Sequence, residues 1–311
     1  MKIWKKILLV SFALILSIGL AACGTSGSKK SASSYEPKEL KVQFVPSSQA
    51  DTMEAKAKPL EKLLSKQLGI PVKVSVSTDY NTIVEAMGSK QVDVGFLPPD
   101  AYVMAHKQNG TKVLLQAQRY KIVQPGGKNG EQLVDKYRSM IVVKKGSDIK
   151  SVKDLKGKKI AVQDTTSASG FIFPAVELLK KGINVNKNGI KTVQVKGHDQ
   201  GVMSVLNGDT DAAFVFEDAR NIVKKDVPNI MDEVEPLYFT KPIPNDTISV
   251  RKDMSTKWQK KIQDAFIKIA KTKKGHKIVS EIYSHEGYTK SKDSNFDLMR
   301  QYNKDVKKLT K

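Results

Sequence analysis

The sequence predicts an α/β protein built from two lobes. Strand-like and helix-like segments alternate along most of the chain, which is the pattern of parallel or mixed sheets covered by helices. The alternation runs in two series of similar size, and a polar, glycine-rich stretch at residues 124–131 separates them. No sequence repeat relates the two series. We therefore expect two mixed-sheet lobes with separate cores.

The first series begins with a strand at residues 40–45 and an amphipathic helix at residues 51–68. Pro59 must kink this helix or mark its true beginning, because proline cannot occupy a helix interior without loss of a hydrogen bond. Valines then alternate with polar residues at 72–76, as in a half-buried strand. The further segments are a helix at 81–87, a strand at 92–97, a helix at 100–107 and a strand at 113–117. The stretch at 124–131 is typical of a surface loop.

The second series has a similar rhythm and ends in a helical tail. Its strands are expected at 140–143, 159–162, 192–195 and 212–216, and its helices at 176–179 and 201–206. From residue 255 onward, apolar residues recur at helical spacing, with further helical segments at 278–283 and 296–306. If this tail packs back on the first lobe, the chain must cross between the lobes twice.

The amino terminus is typical of an export signal. Three lysines precede an uncharged apolar run at residues 7–20, which is shorter than the roughly 20 residues of a membrane span. Cys23 is the sole cysteine and follows small residues, a placement that resembles the lipobox of bacterial lipoproteins. We therefore predict a signal peptide at 1–22, lipid attachment at Cys23 and a flexible tether at 23–38. One cysteine excludes an internal disulfide.

The chain of 311 residues carries a formal charge of +21. In a cytoplasmic protein this charge would suggest nucleic acid, but the export signal and the scattered lysines argue against it. A solvated basic surface beside anionic lipid and wall polymer is the preferred interpretation. The four histidines show no metal-binding spacing and no phosphate-loop pattern is present, so we expect no metal and no cofactor.

Residues 164–174 are the strongest candidate for a binding site. Hydroxyl residues and Gly170 lie between an apolar strand and a helix, so that free N–H groups, the helix dipole and the hydroxyls of Ser167 and Ser169 can point at one anion. The alternative is an ordinary N-cap, which favours the same residue types. Catalysis by either serine is disfavoured, because no Gly-x-Ser-x-Gly elbow surrounds them.

Several short motifs stand in a fixed order along the chain. They are Asp79-Tyr80-Asn81, Val92-Asp93-Val94-Gly95, Ala101-Tyr102, Asp154-Leu155-Lys156-Gly157-Lys158, Ser167-Ala168-Ser169-Gly170-Phe171, Gly197-His198-Asp199, Gly208-Asp209-Thr210-Asp211-Ala212-Ala213 and Ile243-Pro244-Asn245-Asp246. With these motifs, the chain from residue 40 to the final helices resembles the periplasmic and lipid-anchored phosphonate-binding proteins of bacterial ABC importers. The resemblance implies a type II periplasmic-binding-protein fold, in which two crossing strands join the lobes and the ligand lies in the cleft.

The resemblance also implies ligand contacts. The serine-rich turn that grips the phosphonyl oxygens in the family corresponds to Ser167, Ala168, Ser169 and Gly170. A family pattern of Ser-Thr-Ser-Gly has become Ser-Ala-Ser-Gly, so one hydroxyl is missing unless Thr165, Thr166 or a backbone N–H replaces it.

Five further residues match cleft positions of the family. Tyr80 and Tyr137 match its two cleft tyrosines, although each could be an ordinary half-buried tyrosine. His198 matches the cleft histidine, against a purely structural role. Asp218 and Asp246 match acidic positions that face an ammonium group, which favours a zwitterion such as an aminoalkylphosphonate. The alternatives are a helix cap for Asp218 and a turn residue for Asp246.

The expected function is capture of a phosphonate in the cleft and its delivery to an ABC permease driven by a separate ATPase. The expected lobes are 39–139 plus 247–311, and 140–246, in a chain that is not an enzyme, does not bind nucleic acid and acts as a monomer at the cell membrane. A binder of phosphate, phosphite or another small oxyanion is the nearest alternative. An exported serine esterase and a polyanion-binding adhesin are the alternatives from other classes.

Overall fold

The computed structural model describes residues 34–47, 50–124 and 127–310. The predicted signal peptide and Cys23 lie outside these residues. The compact unit of the chain begins at Tyr35. Tyr35, inside the segment predicted as a tether, forms a parallel bridge with Met254, and its N–H donates to the carbonyl of Asp253 at 2.7 Å. Arg251 stacks on the Tyr35 ring, with its guanidinium carbon 3.8 Å from the ring centre.

The described residues form strands and helices in alternation. The strands are β1 Leu40–Phe44, β2 Val72–Val76, β3 Val94–Leu97, β4 Lys112–Val123, β5 Lys128–Val134, β6 Lys136–Lys144, β7 Lys159–Val162, β8 Lys191–Gln194, β9 Ala212–Phe216, β10 Val234–Pro244, β11 Thr247–Val250 and β12 Gly287–Lys290. The α-helices are α1 Ala50–Ala57, α2 Leu60–Leu68, α3 Tyr80–Gly88, α4 Pro99–Asn109, α5 Phe173–Lys180, α6 His198–Asn207, α7 Ala219–Val223, α8 Ile230–Glu233, α9 Thr256–Ala270, α10 Lys273–Tyr283 and α11 Asp297–Val306. No described helix combines the length and the apolar character that a membrane span needs.

The strands form two mixed sheets. The first sheet has the order β12-β4-β11-β3-β1-β2, and β5 pairs with β4. Here β1 is parallel to β2 and β3, while β11, β4 and β12 pair antiparallel. The second sheet has the order β10-β6-β9-β7-β8, in which β7 is parallel to β8 and β9. Two mixed sheets with helices between their strands confirm the predicted fold class.

The chain passes between the sheets at two adjacent points. One passage lies between β5 and β6, and the other lies between β10 and β11. The N–H of Asn245 donates to the carbonyl of Asp135 at 2.8 Å, which joins the two passages directly. The Gln116 amide donates to the same carbonyl at 2.8 Å, and the Asn245 amide donates to Ala117 at 3.1 Å. Side-chain amides therefore satisfy the backbone where the regular strand pairing ends.

The helical tail contacts elements that belong to both sheets. Helices α9 and α10 pack beside α2, while α11 packs against α4 and α5. The carboxylate of Glu177, on α5, accepts hydrogen bonds from Tyr302 of α11 at 2.9 Å and from Tyr238 of β10 at 2.7 Å. Helix α11 therefore contacts elements of the second sheet as well as a helix that belongs to the first.

Most predicted segments are found within a few residues of their expected positions. Pro59 separates α1 from α2, as its missing N–H requires. The loop predicted at residues 124–131 is wrong over its second half, because β5 pairs antiparallel with β4 from Lys128 onward. Strand β5 is largely exposed and therefore lacks the apolar alternation by which strands are detected. Strands β10, β11 and β12 were not predicted.

Candidate functional site

A cavity of about 140 Å³ lies between the two sheets, and we call it the main cavity. This volume is several times the roughly 30 Å³ that a water molecule takes in the liquid, so a small oxyanion fits. The residues that line it come from both sheets. They include Ser47, Lys56, Tyr80, Arg119, Tyr137, Ser167, Ala168, Ser169, His198, Phe216, Asn221, Lys225, Asp246, Ser280, Glu281, Tyr283 and Ser284. Seven of the nine residues predicted to contact ligand are in this set.

The serine-rich turn enters a single π-helical turn, Ala168–Ile172, which leads into α5. The Ser167 hydroxyl accepts a hydrogen bond from the N–H of Gly170 at 3.1 Å and keeps its own hydrogen for a ligand. Ala168 is buried and presents only a methyl group to the main cavity. Thr165 and Thr166 line a different groove, and the Thr166 hydroxyl donates to Asp164 at 2.7 Å. Neither threonine stands in for the missing hydroxyl.

Gly170 supports the turn from behind and does not line the main cavity. A Cβ atom at this position would lie 2.3 Å from Cβ and Cγ of Gln163 and 2.9 Å from the Ser167 hydroxyl oxygen. The N–H of Gln163 also donates to the Gly170 carbonyl at 3.0 Å. Because Gly170 has no side chain, the turn packs closely against Gln163 at the end of β7. This packing keeps the Ser167 hydroxyl in position.

Tyr80 and Tyr137 reach the main cavity from different elements. Tyr80 is the first residue of α3, whose N-cap Asp79 accepts from the N–H groups of Asn81 and Thr82 at 2.8 Å. Burial raises the pKa of both phenols, and the negative charge of Asp246 adds to the rise. Both tyrosines therefore stay protonated at neutral pH and can donate O–H groups to an anion.

His198 begins α6 and faces the main cavity. Its ring packs edge-on against Phe216, with 4.6 Å between the ring centres. Burial lowers the pKa of His198 to about 3, although the Asp246 carboxylate opposes this effect. The imidazole is thus neutral at physiological pH, and its Nδ1 has no hydrogen-bond partner in the part of the chain described. The adjacent Asp199 does not line this cavity.

Arg119, on β4, is a site residue that the sequence did not reveal. It lines the main cavity and lies 4.8 Å from the centre of the Tyr137 ring. Its guanidinium donates to Asp218 at 3.0 Å and to the carbonyl of Tyr283 at 3.3 Å. Burial disfavours the charged guanidinium and lowers its pKa. The negative charges of Asp218 and Asp246 have the larger effect, so the pKa of Arg119 is raised. The sequence signal is a single arginine, two residues beyond the predicted end of this strand and between Gln118 and Tyr120.

Asp218 is held away from the main cavity. It precedes α7, its side chain is 6% exposed, and it pairs with Arg119. Asp218 lines a neighbouring cavity instead. It also makes no side-chain hydrogen bond as the N-cap of α7. Its negative charge is balanced within the protein, so Asp218 and Asp246 do not form an open pair of carboxylates.

Asp246 lines the main cavity and forms a hydrogen bond with a second histidine, His285. His285 lies 3.3 Å from the Asp246 carboxylate through Nε2 and 3.3 Å from the Tyr288 hydroxyl through Nδ1. Burial lowers the pKa of His285, against the pull of Asp246, and burial raises the pKa of Tyr288. With both groups neutral, Tyr288 donates to His285 and His285 donates to Asp246. One carboxylate oxygen of Asp246 stays available to a ligand.

Comparison with protein families places these features in context. A family model described as the phosphonate periplasmic substrate-binding protein of ABC transporters matches residues 42–296. The chain belongs to this family. The resemblance drawn from the sequence motifs is therefore confirmed, and the family consists of transport components rather than enzymes.

Two curated relatives share moderate identity with the chain. It is 32% identical over 212 residues to a phosphate-import protein of Mycolicibacterium smegmatis, covering 64% of this chain and 63% of that protein. It is 26% identical over 218 residues to the phosphonates-binding periplasmic protein of Escherichia coli, covering 69% of this chain and 61% of that protein. The aligned part thus spans less than two thirds of either relative.

Solved structures agree in fold. The binding-protein component of an ABC phosphonate transporter from Pseudomonas aeruginosa superposes with a TM-score of 0.75 at 19% identity, covering 88% of both chains. A Prochlorococcus marinus protein solved with methylphosphonate also has a TM-score of 0.75, at 20% identity, covering 88% of this chain and 100% of that one. Both are consistent with the two-lobed type II fold.

The main cavity has the chemistry of an oxyanion site. Hydroxyl donors from Ser167, Ser169, Tyr80 and Tyr137 surround it, and each stays protonated or uncharged at neutral pH. Hydrogen bonds to a charged acceptor are worth roughly 1.5–3 kcal/mol each, so several of them can replace the hydration of a small anion. Among the described residues no cluster of His, Cys, Asp and Glu could hold a metal ion.

Proposed function

We propose that this protein is the solute-binding component of an ABC importer and that it captures a phosphonate in the main cavity. The observation that carries the proposal is the convergence of donors from both sheets on one small cavity. Ser167 and Ser169 come from the turn before α5, whereas Tyr80 comes from α3 beside the first sheet. Membership of the phosphonate-binding family supports the same ligand class.

The contacts with the phosphonyl group are assigned to the serine-rich turn, the two tyrosines and His198. Ser167 and Ser169 donate hydroxyl hydrogens, and Tyr80 and Tyr137 add two phenol donors. His198 is neutral in the ligand-free site, so it donates one hydrogen bond without adding charge. An incoming dianion favours protonation of this imidazole, which strengthens the contact.

We further propose that the preferred phosphonate carries an ammonium group. Asp246 lines the same cavity as the anion donors, and a carboxylate beside a bound anion is unfavourable unless a positive group or a proton lies between them. Arg119 already balances Asp218, so the ammonium contact falls to Asp246 alone. An aminoalkylphosphonate meets both requirements, because its two charges separate along its length.

Capture is proposed to close the protein around the ligand. Residues of both sheets contact the ligand, so ligand binding stabilises an arrangement in which the proposed lobes, 39–139 plus 247–311 and 140–246, approach each other. The passages joined by Asn245 and Asp135 are the natural hinge. The closed form then engages a membrane permease, which a separate ATPase drives. We propose that the protein acts as a monomer and is held on the outer side of the cell membrane through lipid on Cys23.

Titration calorimetry with 2-aminoethylphosphonate, methylphosphonate, phosphite and phosphate tests the ligand. We expect a single site, tightest for 2-aminoethylphosphonate, and a compaction on binding in small-angle scattering. Asp246→Asn should weaken 2-aminoethylphosphonate at least tenfold, whereas methylphosphonate, which has no ammonium group, should bind as tightly as before or more tightly, because a repelling carboxylate is removed. Asp209→Asn, at an exposed position away from the cavity, is the control. No binding of any of the four compounds would refute the function, and equal losses for both phosphonates would refute the ammonium contact.

Inorganic phosphate is the second candidate. The relative from Mycolicibacterium smegmatis is named a phosphate-import protein, and a relative from Prochlorococcus marinus is named a probable phosphite-binding protein. A protonated phosphate oxygen can donate to Asp246 in place of an ammonium group. Tighter binding of phosphate than of either phosphonate would favour this candidate.

A further inference from the structure

A second cavity adjoins the main cavity, and we call it the side cavity. It has a volume of about 280 Å³. Four residues line both cavities, namely Arg119, Asn221, Ser280 and Ser284. The remaining lining residues are Tyr120, Lys128, Asn129, Asp218 and Glu286. The ion pair of Arg119 with Asp218 stands at the boundary between the two spaces.

The side cavity is built from polar side chains. Lys128 and Glu286 bring opposite charges, and Glu286 accepts a hydrogen bond from Ser280 at 3.0 Å. Asn221 uses its amide nitrogen on the carbonyl of Gly127 at 3.1 Å, which leaves its amide oxygen for another partner. A polar group therefore finds hydrogen-bond partners there.

Arg119 retains donors for a ligand at this boundary. A guanidinium has five N–H hydrogens, and Arg119 uses one on Asp218 and one on the Tyr283 carbonyl. Its Nε is buried without a hydrogen-bond partner among residues 34–47, 50–124 and 127–310. A buried donor without a partner is costly, so an acceptor oxygen that reaches the guanidinium is favoured.

We infer that the natural ligand bears a polar substituent that extends beside Arg119 into the side cavity. A carboxylate oxygen of this substituent accepts a hydrogen bond from the Arg119 guanidinium. The inference rests on the proposed phosphonate function and extends it to the rest of the ligand. Phosphonyl oxygens lie on the serine-rich turn, an ammonium group lies by Asp246, and the carboxylate lies by Arg119. The ligand class is thus an amino-acid-like phosphonate.

A series of ligands of equal length tests the carboxylate contact. Calorimetry compares propylphosphonate with 3-phosphonopropionate, which share a three-carbon chain and differ by the terminal carboxylate. We expect 3-phosphonopropionate to bind at least tenfold more tightly, and 2-amino-3-phosphonopropionate to bind more tightly than 2-aminoethylphosphonate. If methylphosphonate binds while the carboxylate brings no gain, the side cavity is not a ligand site and the phosphonate function stands. If no phosphonate binds, the proposed function itself fails.

A variant that fills the side cavity gives a second test. Asn129 lies on exposed strand β5 and lines the side cavity but not the main one. Asn129→Trp should weaken 3-phosphonopropionate at least tenfold and leave methylphosphonate unchanged. Gln132→Trp, on the same strand but outside both cavities, is the matched control, and thermal melts verify that both variants fold. An equal loss for both ligands, with slower association in stopped flow, would instead identify the side cavity as an entry route and overturn the inference.

Discussion

The ion pair between Arg119 and Asp218 offers a quantitative test of how the site is stabilised. Both side chains are almost fully buried, at 7% and 6% exposure, and their atoms are 3.0 Å apart. Arg119→Met keeps the length of the side chain and removes its charge, so the Asp218 carboxylate is left buried without a cation. Breaking a buried pair by removal of one partner costs about 3–5 kcal/mol.

A loss of about 4 kcal/mol raises the unfolded fraction roughly a thousandfold, because about 1.4 kcal/mol corresponds to a factor of ten. For a domain of this size it lowers the melting temperature by roughly 8–16 °C. Urea denaturation followed by circular dichroism measures the change in the free energy of unfolding. The double variant Arg119→Met with Asp218→Leu should recover most of the loss, since replacing both partners by apolar groups is close to neutral. A single-variant loss below about 1 kcal/mol, or a double variant as unstable as the single one, would refute the reasoning.

Two further predictions concern His198 and Gly170. The folded-state pKa of His198 is about 3 and lies below that of an unfolded histidine, near 6.5, so the unfolded state binds more protons between these values and acidification destabilises the fold. The free energy of unfolding of the native protein, relative to that of His198→Gln, should fall by at most about 1.4 kcal/mol per pH unit below pH 6.5. If this difference stays constant from pH 7 to pH 4, the buried imidazole is not neutral in the folded protein. Gly170→Ala places its Cβ against Gln163 and should cost roughly 1–3 kcal/mol and weaken phosphonate binding. Gly201→Ala, whose Cβ would meet Val215 no closer than 3.3 Å, is the milder control, and equal costs in thermal melts would argue against the tight turn.

The periodicity of the sequence predicted the elements that are buried on one or both faces. Strand β2 alternates valine with polar residues, and β9 is a run of apolar residues, so both were located correctly. The exposed strand β5 carries no such pattern, so the sequence predicts a loop that overlaps the start of this strand. The periodicity does not reveal the long strand β10, although it pairs with β6 along most of its length, because its three prolines and two register shifts interrupt the alternation.

Some residues of the candidate site have a local sequence signature, and others do not. The serine-rich turn, Tyr80 and His198 stand at helix starts, and a helix start has a local signature in hydroxyl residues, glycine or an N-cap such as Asp79. Arg119 and His285 have no local signature. Each acts through a partner that is distant in sequence, Asp218 for Arg119 and Asp246 for His285. Such a partner is visible only once the sheets are assembled.

By itself, the sequence determined the α/β class, the phosphonate-binding family and the turn at residues 167–170, because local periodicity and short motifs reflect local backbone geometry. The tertiary structure decided the charge of the site. It paired Asp218 with Arg119, left Asp246 facing the main cavity beside a neutral His285, and opened a polar side cavity next to them. The physical reason is that a charge acts according to its distance from other charges and its burial, and neither quantity is local in the chain.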